Sequence, residues 1–357
     1  MICPVDSDLR EGGAGAGAPA GGIGPAPVPE VVTDLGSLWR AFHRSVVLYG
    51  SRDACVFGDR ALSYTQLHDW AAALAAGLIG LCNVRVGEKV ALLAGNRPEW
   101  LPLSLAVQGT GAVEVPYRPG VPAAELVGLL RGVQAVVAIV ESTELARRVL
   151  HCWAELPALR RVVVIEPDQA LEQAMPLAGL ESTGRRMLTA DPAMLQRRQW
   201  LVAADSAAAI IHTSGTTGTP KRVLLSHLNL LHSQRCLPQA IGIGERDRVL
   251  LCMPLWHLYG RLIAYLAIGC GASLHFASFH KIEQDLQRVA PTCFPAFPPV
   301  WEQIHRRCLD ALDASGLAAR PLRLALRLCR RFLRLRDRAG GRALALHRRT
   351  PLQRWRA

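Results

Sequence analysis

Residues 207–227 read Ala-Ala-Ala-Ile-Ile-His-Thr-Ser-Gly-Thr-Thr-Gly-Thr-Pro-Lys-Arg-Val-Leu-Leu-Ser-His. The run Ala207–Ile211 has the length and composition of a buried strand, and apolar sequence resumes at Val223. Between them, Thr213–Lys221 holds no side chain large enough to pack a core, and its hydroxyls and backbone N–H groups all need partners. Gly215 and Gly218 open backbone geometry closed to other residues and let a ligand approach the main chain. Thr213, Ser214, Thr216, Thr217 and Thr219 supply neutral donors, and Lys221 supplies a cation. That inventory suits a polyphosphate.

The spacing from Gly215 to Lys221 equals that from the first glycine to the lysine of a Walker A loop. However, Pro220 stands at the second glycine, where it removes an N–H donor. Arg222 stands at the magnesium-ligating Ser or Thr. A P-loop NTPase is therefore excluded. A Thr/Gly-rich surface turn is the bland alternative, and the strand before the loop and the lysine at its end argue against it.

The string Thr213–Lys221, continued by Ser226, His227 and Asn229, resembles the phosphate-binding signature of the adenylate-forming (AMP-binding) superfamily. That superfamily includes acyl-CoA synthetases, luciferases and peptide-synthetase adenylation domains. This chain departs from the pattern twice. His212 replaces an aromatic residue, and Arg222 replaces a glycine, putting a bulky cation beside the loop.

Composition narrows the class. Half of the 357 residues are hydrophobic and a fifth are charged, an ordinary globular balance at a length that admits two domains. The ten cysteines are scattered without a CxxC pair, as buried reduced thiols of a cytoplasmic protein would be. No signal-peptide pattern opens the chain, and the longest apolar tract, Val249–Phe276, is broken by His257, Arg261 and several glycines. The net charge of +12 is localised: residues 320–357 contain 13 Arg and one acid, Asp337, and the rest of the chain is balanced.

Gly12–Pro29, almost wholly Gly, Ala and Pro, makes 1–34 a disordered leader. Leu35, Leu38, Trp39 and Phe42 share one helical face. Gly58-Asp59-Arg60 turns between short strands at Cys55–Phe57 and Leu62–Tyr64, and Thr65 is expected to cap a helix over Gln66–Leu81. Strands at Val90–Leu93, Ala112–Val115, Ala135–Val140, Val162–Ile165 and Val249–Met253 alternate with helices, which argues for a parallel α/β sheet. The ordered stretches Leu62–Leu67, Gly87–Val90, Asn96–Trp100 and Gly111–Pro116 resemble the N-terminal part of the same superfamily. Trp100 itself reads as core.

Pro254-Leu-Trp-His-Leu-Tyr-Gly-Arg261 resembles the superfamily's Pro-x-x-His-x-x-Gly motif, in a version closest to the long-chain acyl-CoA synthetase branch. The resemblance assigns His257, Tyr259 and Gly260 to the substrate pocket. The alternative for His257 is a partly buried histidine satisfied by backbone. Pro298-Pro-Val-Trp-Glu302 resembles the branch's Val-Pro-Arg-Val-like segment, with Pro299 in place of its arginine. In the tail, Arg320, Arg323, Arg327, Arg330, Arg331, Arg334 and Arg338 form one helical stripe beside a Leu/Cys stripe. A surface helix of the parent fold is preferred there, peripheral contact with anionic membrane is the alternative, and nucleic acid is not counted among the partners.

The resemblance implies a layered parallel-sheet N-terminal domain, truncated, with 35–319 as a partial AMP-binding large domain and 320–357 as its basic helical end. It implies ATP, Mg2+ and coenzyme A as cofactors and a long-chain fatty acid as substrate. Thr213, Ser214, Gly215, Thr216, Thr217, Gly218, Thr219 and Lys221 would hold the phosphates, with Thr216 or Thr217 contributing to the metal. The family's later Tyr-Gly-x-Thr-Glu segment, its ribose-binding aspartate and its C-terminal lysine have no match here, so no catalytic residue is assigned. The chain is expected to be an incomplete, inactive acyl-CoA ligase. A non-catalytic nucleotide- or acyl-binding module and a membrane-associated interaction protein are the other readings.

Overall fold

A computed structural model of the chain describes residues 36–213 and 221–314. The proposed leader, the basic tail and the loop interior 214–220 lie outside the described residues. The first part runs α1 (Leu38–Tyr49), β1 (Asp53–Phe57), β2 (Arg60–Ser63), α2 (Tyr64–Gly80), β3 (Lys89–Leu93), α3 (Trp100–Thr110) and β4 (Val113–Tyr117). It continues through α4 (Ala123–Val133), β5 (Ala135–Ser142), α5 (Thr143–His151), β6 (Arg161–Glu166), β7 (Ala174–Pro176), α6 (Leu177–Ala190) and α7 (Met194–Gln199). After these come β8 (Ala207–Thr213), β9 (Lys221–Ser226), α8 (His227–Ile241), β10 (Arg248–Leu251), α9 (Leu258–Gly269), β11 (Ser273–Phe276), α10 (Ile282–Val289) and α11 (Pro298–Ala314).

The strands fall into two sheets. The larger has the order β7-β6-β5-β3-β4-β8-β9 and is parallel except for β9, which returns antiparallel along β8. The smaller has the order β10-β11-β1-β2 and is parallel except for the β1–β2 hairpin. The alternation of strands and helices therefore produces the expected parallel sheet, and the early hairpin joins strands more than two hundred residues later.

Helices cover both faces of the large sheet, so its central strands are apolar without interruption. In β3, Val90 and Leu92 enter one core while Ala91 and Leu93 enter the other. Helix α2 lies in the first core, with Ala71, Ala73, Ala75 and Ala76 fully buried. Its alanines let α6 approach closely: a Cβ on Gly184 would collide with the carbonyl oxygen of Ala73. The N-terminus of α2 corrects the expectation of a Thr65 cap. Ser63 Oγ accepts from Gln66 N–H at 3.1 Å and Gln66 Oε1 accepts from Ser63 N–H at 2.8 Å, a capping box two residues earlier. Thr65 instead donates its N–H to the Gly50 carbonyl.

The described cysteines are all free. Burial pushes the Cys55 thiol up to about 12 and the Cys82 thiol up to about 11, so both are unreactive core groups. No helix among the described residues is long and apolar enough to cross a membrane.

Candidate active site

Thr213 and Lys221 form the last register pair of the β8–β9 hairpin, and residues 214–220 join them. Thr213 Oγ1 donates to the Lys221 carbonyl at 3.5 Å, and both residues are exposed. The hairpin holds the loop at the carboxyl end of β8, where open α/β sheets place their ligands. Paired residues in an antiparallel ladder share a face, and successive residues alternate. Lys221 and Thr213 therefore share one face, while Arg222 and His212 share the other.

This alternation decides what Arg222 does. Its guanidinium donates to the Gly132 carbonyl in the last turn of α4, where unsatisfied carbonyls attract a cation. The residue expected to crowd the loop is spent on a helix end, and Lys221 lies on the opposite face of the hairpin. His212 packs its ring 5.1 Å from that of Tyr117 at the end of β4. Burial, and then Arg222, lower its pKa and hold it neutral.

Ser226, His227 and Asn229, which continue the motif in sequence, anchor the hairpin. Ser226 Oγ accepts from Asn229 N–H at 3.2 Å and Asn229 Oδ1 accepts from Ser226 N–H at 3.0 Å, capping α8. His227 is fully buried, and its Nδ1 accepts the Leu38 N–H at 3.2 Å, tying α8 to the start of α1. Burial, with a smaller effect of Arg40, lowers its pKa to about 4.

The second motif reaches the same sheet edge through Asn96. Asn96 follows β3, its Nδ2 donates to the Met253 carbonyl at 2.8 Å, and its Oδ1 accepts from Leu255 N–H at 2.8 Å. These bonds fasten the segment between β10 and α9 to the carboxyl edge of the large sheet. The neighbouring Arg97 is fixed by Glu99 at 2.7 Å and Glu166 at 2.8 Å. Asn96 carried no functional assignment in the sequence, because its partners lie more than 150 residues away.

His257 is the N-cap of α9, its Nδ1 accepting from Tyr259 N–H at 3.4 Å. Its ring and that of Tyr259 lie 5.6 and 5.7 Å from Phe297, and both residues are exposed. Gly260 is buried, and a Cβ there would collide with the Pro254 carbonyl oxygen. The next residue, Arg261, ion-pairs with Glu114 of β4 in the core at 2.6 Å. Thus β4 is bound to α9 on one side and to β8 on the other.

The donor set fits a polyphosphate: a threonine hydroxyl and a lysine share one exposed face at the end of the β8–β9 hairpin. It does not build a metal cage, because no group of three acidic, histidine or cysteine side chains suited to a metal occurs among the described residues. A magnesium ion that prefers phosphate oxygens with few protein ligands is compatible with that arrangement.

A family model described as AMP-binding enzyme matches residues 42–352. The chain belongs to the AMP-binding enzyme family. It is 30% identical over 305 residues to a chloroplastic long-chain-fatty-acid–[acyl-carrier-protein] ligase of Arabidopsis thaliana, covering 81% of this chain and 41% of the relative. It is 27% identical over 298 residues to long chain acyl-CoA synthetase 6, peroxisomal, of the same plant, covering 81% and 42%. The chain thus spans about four-tenths of the length of these relatives. Among solved structures, a long-chain-fatty-acid-CoA ligase of Archaeoglobus fulgidus superposes with a TM-score of 0.65 at 20% identity, covering 81% of this chain and 56% of that one. The anthranilate CoA ligase AuaEII, solved with anthranoyl-AMP, gives 0.62 at 22% identity, covering 73% and 50%. The α/β fold with its mostly parallel sheet is that of the N-terminal domain of adenylate-forming ligases.

Proposed function

We propose that this chain carries the ATP-phosphate cradle of a fatty-acid-activating ligase. The fatty carboxylate adds to the α-phosphorus of ATP, giving acyl-adenylate and pyrophosphate, and a thiol then displaces AMP. The observation that carries the reading is the hairpin that sets Lys221 and Thr213 on one exposed face while diverting Arg222 to α4.

A fatty carboxylate is ionised near pH 7, so the first half-reaction needs no general base. It needs positioning and neutralisation of charge developing on the departing pyrophosphate. Lys221 supplies the cation. The hydroxyls of Thr213, Ser214, Thr216, Thr217 and Thr219, with the backbone N–H groups around Gly215 and Gly218, supply neutral donors. Thr216 or Thr217 would contribute to a magnesium ion carried in with the nucleotide. His257, Tyr259 and Gly260 form the entrance of the acyl pocket, with Asn96 holding that entrance at the sheet edge. A long aliphatic acid is favoured by the names of the two Arabidopsis relatives, which also differ in acceptor: one is named for an acyl carrier protein and the other for coenzyme A.

The test is fatty-acid-dependent exchange of pyrophosphate into ATP, measured on this chain and on Lys221→Ala, followed by thioester formation with coenzyme A or holo acyl carrier protein. Exchange abolished by Lys221→Ala supports a catalytic ligase. ATP binding without exchange marks a nucleotide-binding module instead.

A further inference from the structure

A cavity among the described residues lies away from the phosphate loop. It has a volume of about 880 Å³ and lies between α1, α2, α6 and α7. Its origin can be read from the chain. Beyond His68 and Asp69, helix α2 presents only Ala72 and Ala73 to it, and the break between α6 and α7, at Asp191 and Pro192, turns α7 away and leaves a wedge. Side chains that would fill such a gap between packed helices are missing from its walls.

The walls have two characters. Trp39, Leu188 and Leu195 make an apolar lining, and Trp200, 72% exposed, stands at the rim. Across it, His43 of α1 and His68 of α2 bring Nδ1 and Nε2 within 3.4 Å, and the His68 ring tilts over Trp39 with centroids 5.3 Å apart. The charged groups facing this pair come from three helices. Helix α1 brings Arg40, which donates to the Gln199 carbonyl. Helix α2 brings Asp69, 3.5 Å from His68 Nδ1, and α6 brings Arg185, paired with Glu181 at 2.8 Å. Helix α7 contributes only the neutral Gln196 and Gln199.

We propose that this cavity binds a small amphipathic anion, its apolar body lying on Trp39, Leu188 and Leu195 and its acidic group held by the His43–His68 pair. The size fits, because pockets for small ligands span roughly 300–1,000 Å³ with apolar walls and a few convergent polar groups. The sign of the charge follows from the histidines. With both neutral, the fixed charges around them nearly cancel; burial and His43 lower the His68 pKa, so the pair takes up one proton, which leaves a net positive end opposite an apolar one. An anion there favours the protonated pair, so binding takes up protons and tightens as pH falls through the histidine range. The proposal does not depend on the phosphate-loop function.

The test is calorimetric titration of the full chain with decanoate at about pH 6 and pH 8, in buffers of different ionisation enthalpy, with decyltrimethylammonium as the cationic control. Expected are a saturable site that persists in Tyr259→Ala, at the entrance of the proposed acyl pocket, binding there at least about fivefold tighter at the lower pH, and net proton uptake. His43→Gln and the cavity-filling Thr189→Trp, both at exposed positions, should each weaken it, and Lys221→Ala should leave it unchanged. The proposal is overturned if no saturable binding occurs, if the cation binds as well, or if binding is independent of pH. It is equally overturned if the two cavity variants are silent, which would place the acid elsewhere on the chain, the proposed acyl pocket at Tyr259 included.

Discussion

Arg261 of α9 and Glu114 of β4 meet at 2.6 Å with neither side chain exposed to solvent. Ser104 Oγ donates to the same carboxylate oxygen at 2.7 Å, and Tyr265 Oη stands 3.1 Å from the guanidinium. The guanidinium carbon also lies 5.7 Å from the ring centroids of Trp100 and Tyr265. Removing one member of such a pair strands the other charge in the core. Arg261→Met or Glu114→Gln alone should each lower unfolding stability by about 3–5 kcal/mol, and the double variant should recover much of that loss. Urea melts of the three variants decide the matter, and single variants within about 0.5 kcal/mol of the parent would contradict a structural role.

The Asn96 clasp makes a more local prediction. Asn96→Ala removes two hydrogen bonds and leaves the Leu255 N–H and Met253 carbonyl without their partner, a cost of about 1–3 kcal/mol. Amide exchange at Leu255 should accelerate strongly, while the amides of β10 keep their protection. Unchanged exchange at Leu255 would show that the segment before α9 is held by other contacts.

Acid should destabilise the fold through His227. Its folded pKa is about 4, against an ordinary value near 6.5. The unfolded chain therefore takes up a proton first as pH falls. Stability is complete above the ordinary value and is lost between it and the folded value, by about 3 kcal/mol from this group alone. His68, His212 and His275 are lowered by burial as well and act in the same direction. His227→Gln should flatten the stability profile over that window relative to the parent, and an identical profile would remove His227 from the account.

Much of this was legible in the sequence because it is written locally. The alternation of apolar runs with helical spacing foretold the parallel sheet, and the apolar run Ala207–Ile211 foretold strand β8 before the Thr/Gly/Lys loop. The division into two sheets was not legible, since β1 pairs with β11 across the length of the chain. Strand β9 was hidden because Lys221 and Arg222 open it and its first four residues are exposed, so no alternation of buried positions marks it. The Ser63 cap lay two residues before the expected Thr65, although the Ser63–Gln66 spacing announces a capping box. The sequence offers His257 as a pocket wall or a partly buried histidine satisfied by backbone. Its capping of α9 satisfies the backbone at an exposed position, a choice that depends on where the helix begins. The cavity beside Trp39 is a matter of missing volume, signalled only by the alanines of α2 and the Asp191-Pro192 break.

The central claim is that Lys221, not Arg222, faces the nucleotide. Titration of the chain and of two single variants with MgATP tests it directly. Lys221→Ala should weaken binding about tenfold or more, by loss of a charge-assisted contact. Arg222→Ala should bind as the parent does, because its guanidinium is engaged at Gly132. Equal binding by parent and Lys221→Ala, or a larger loss in Arg222→Ala, would contradict the account.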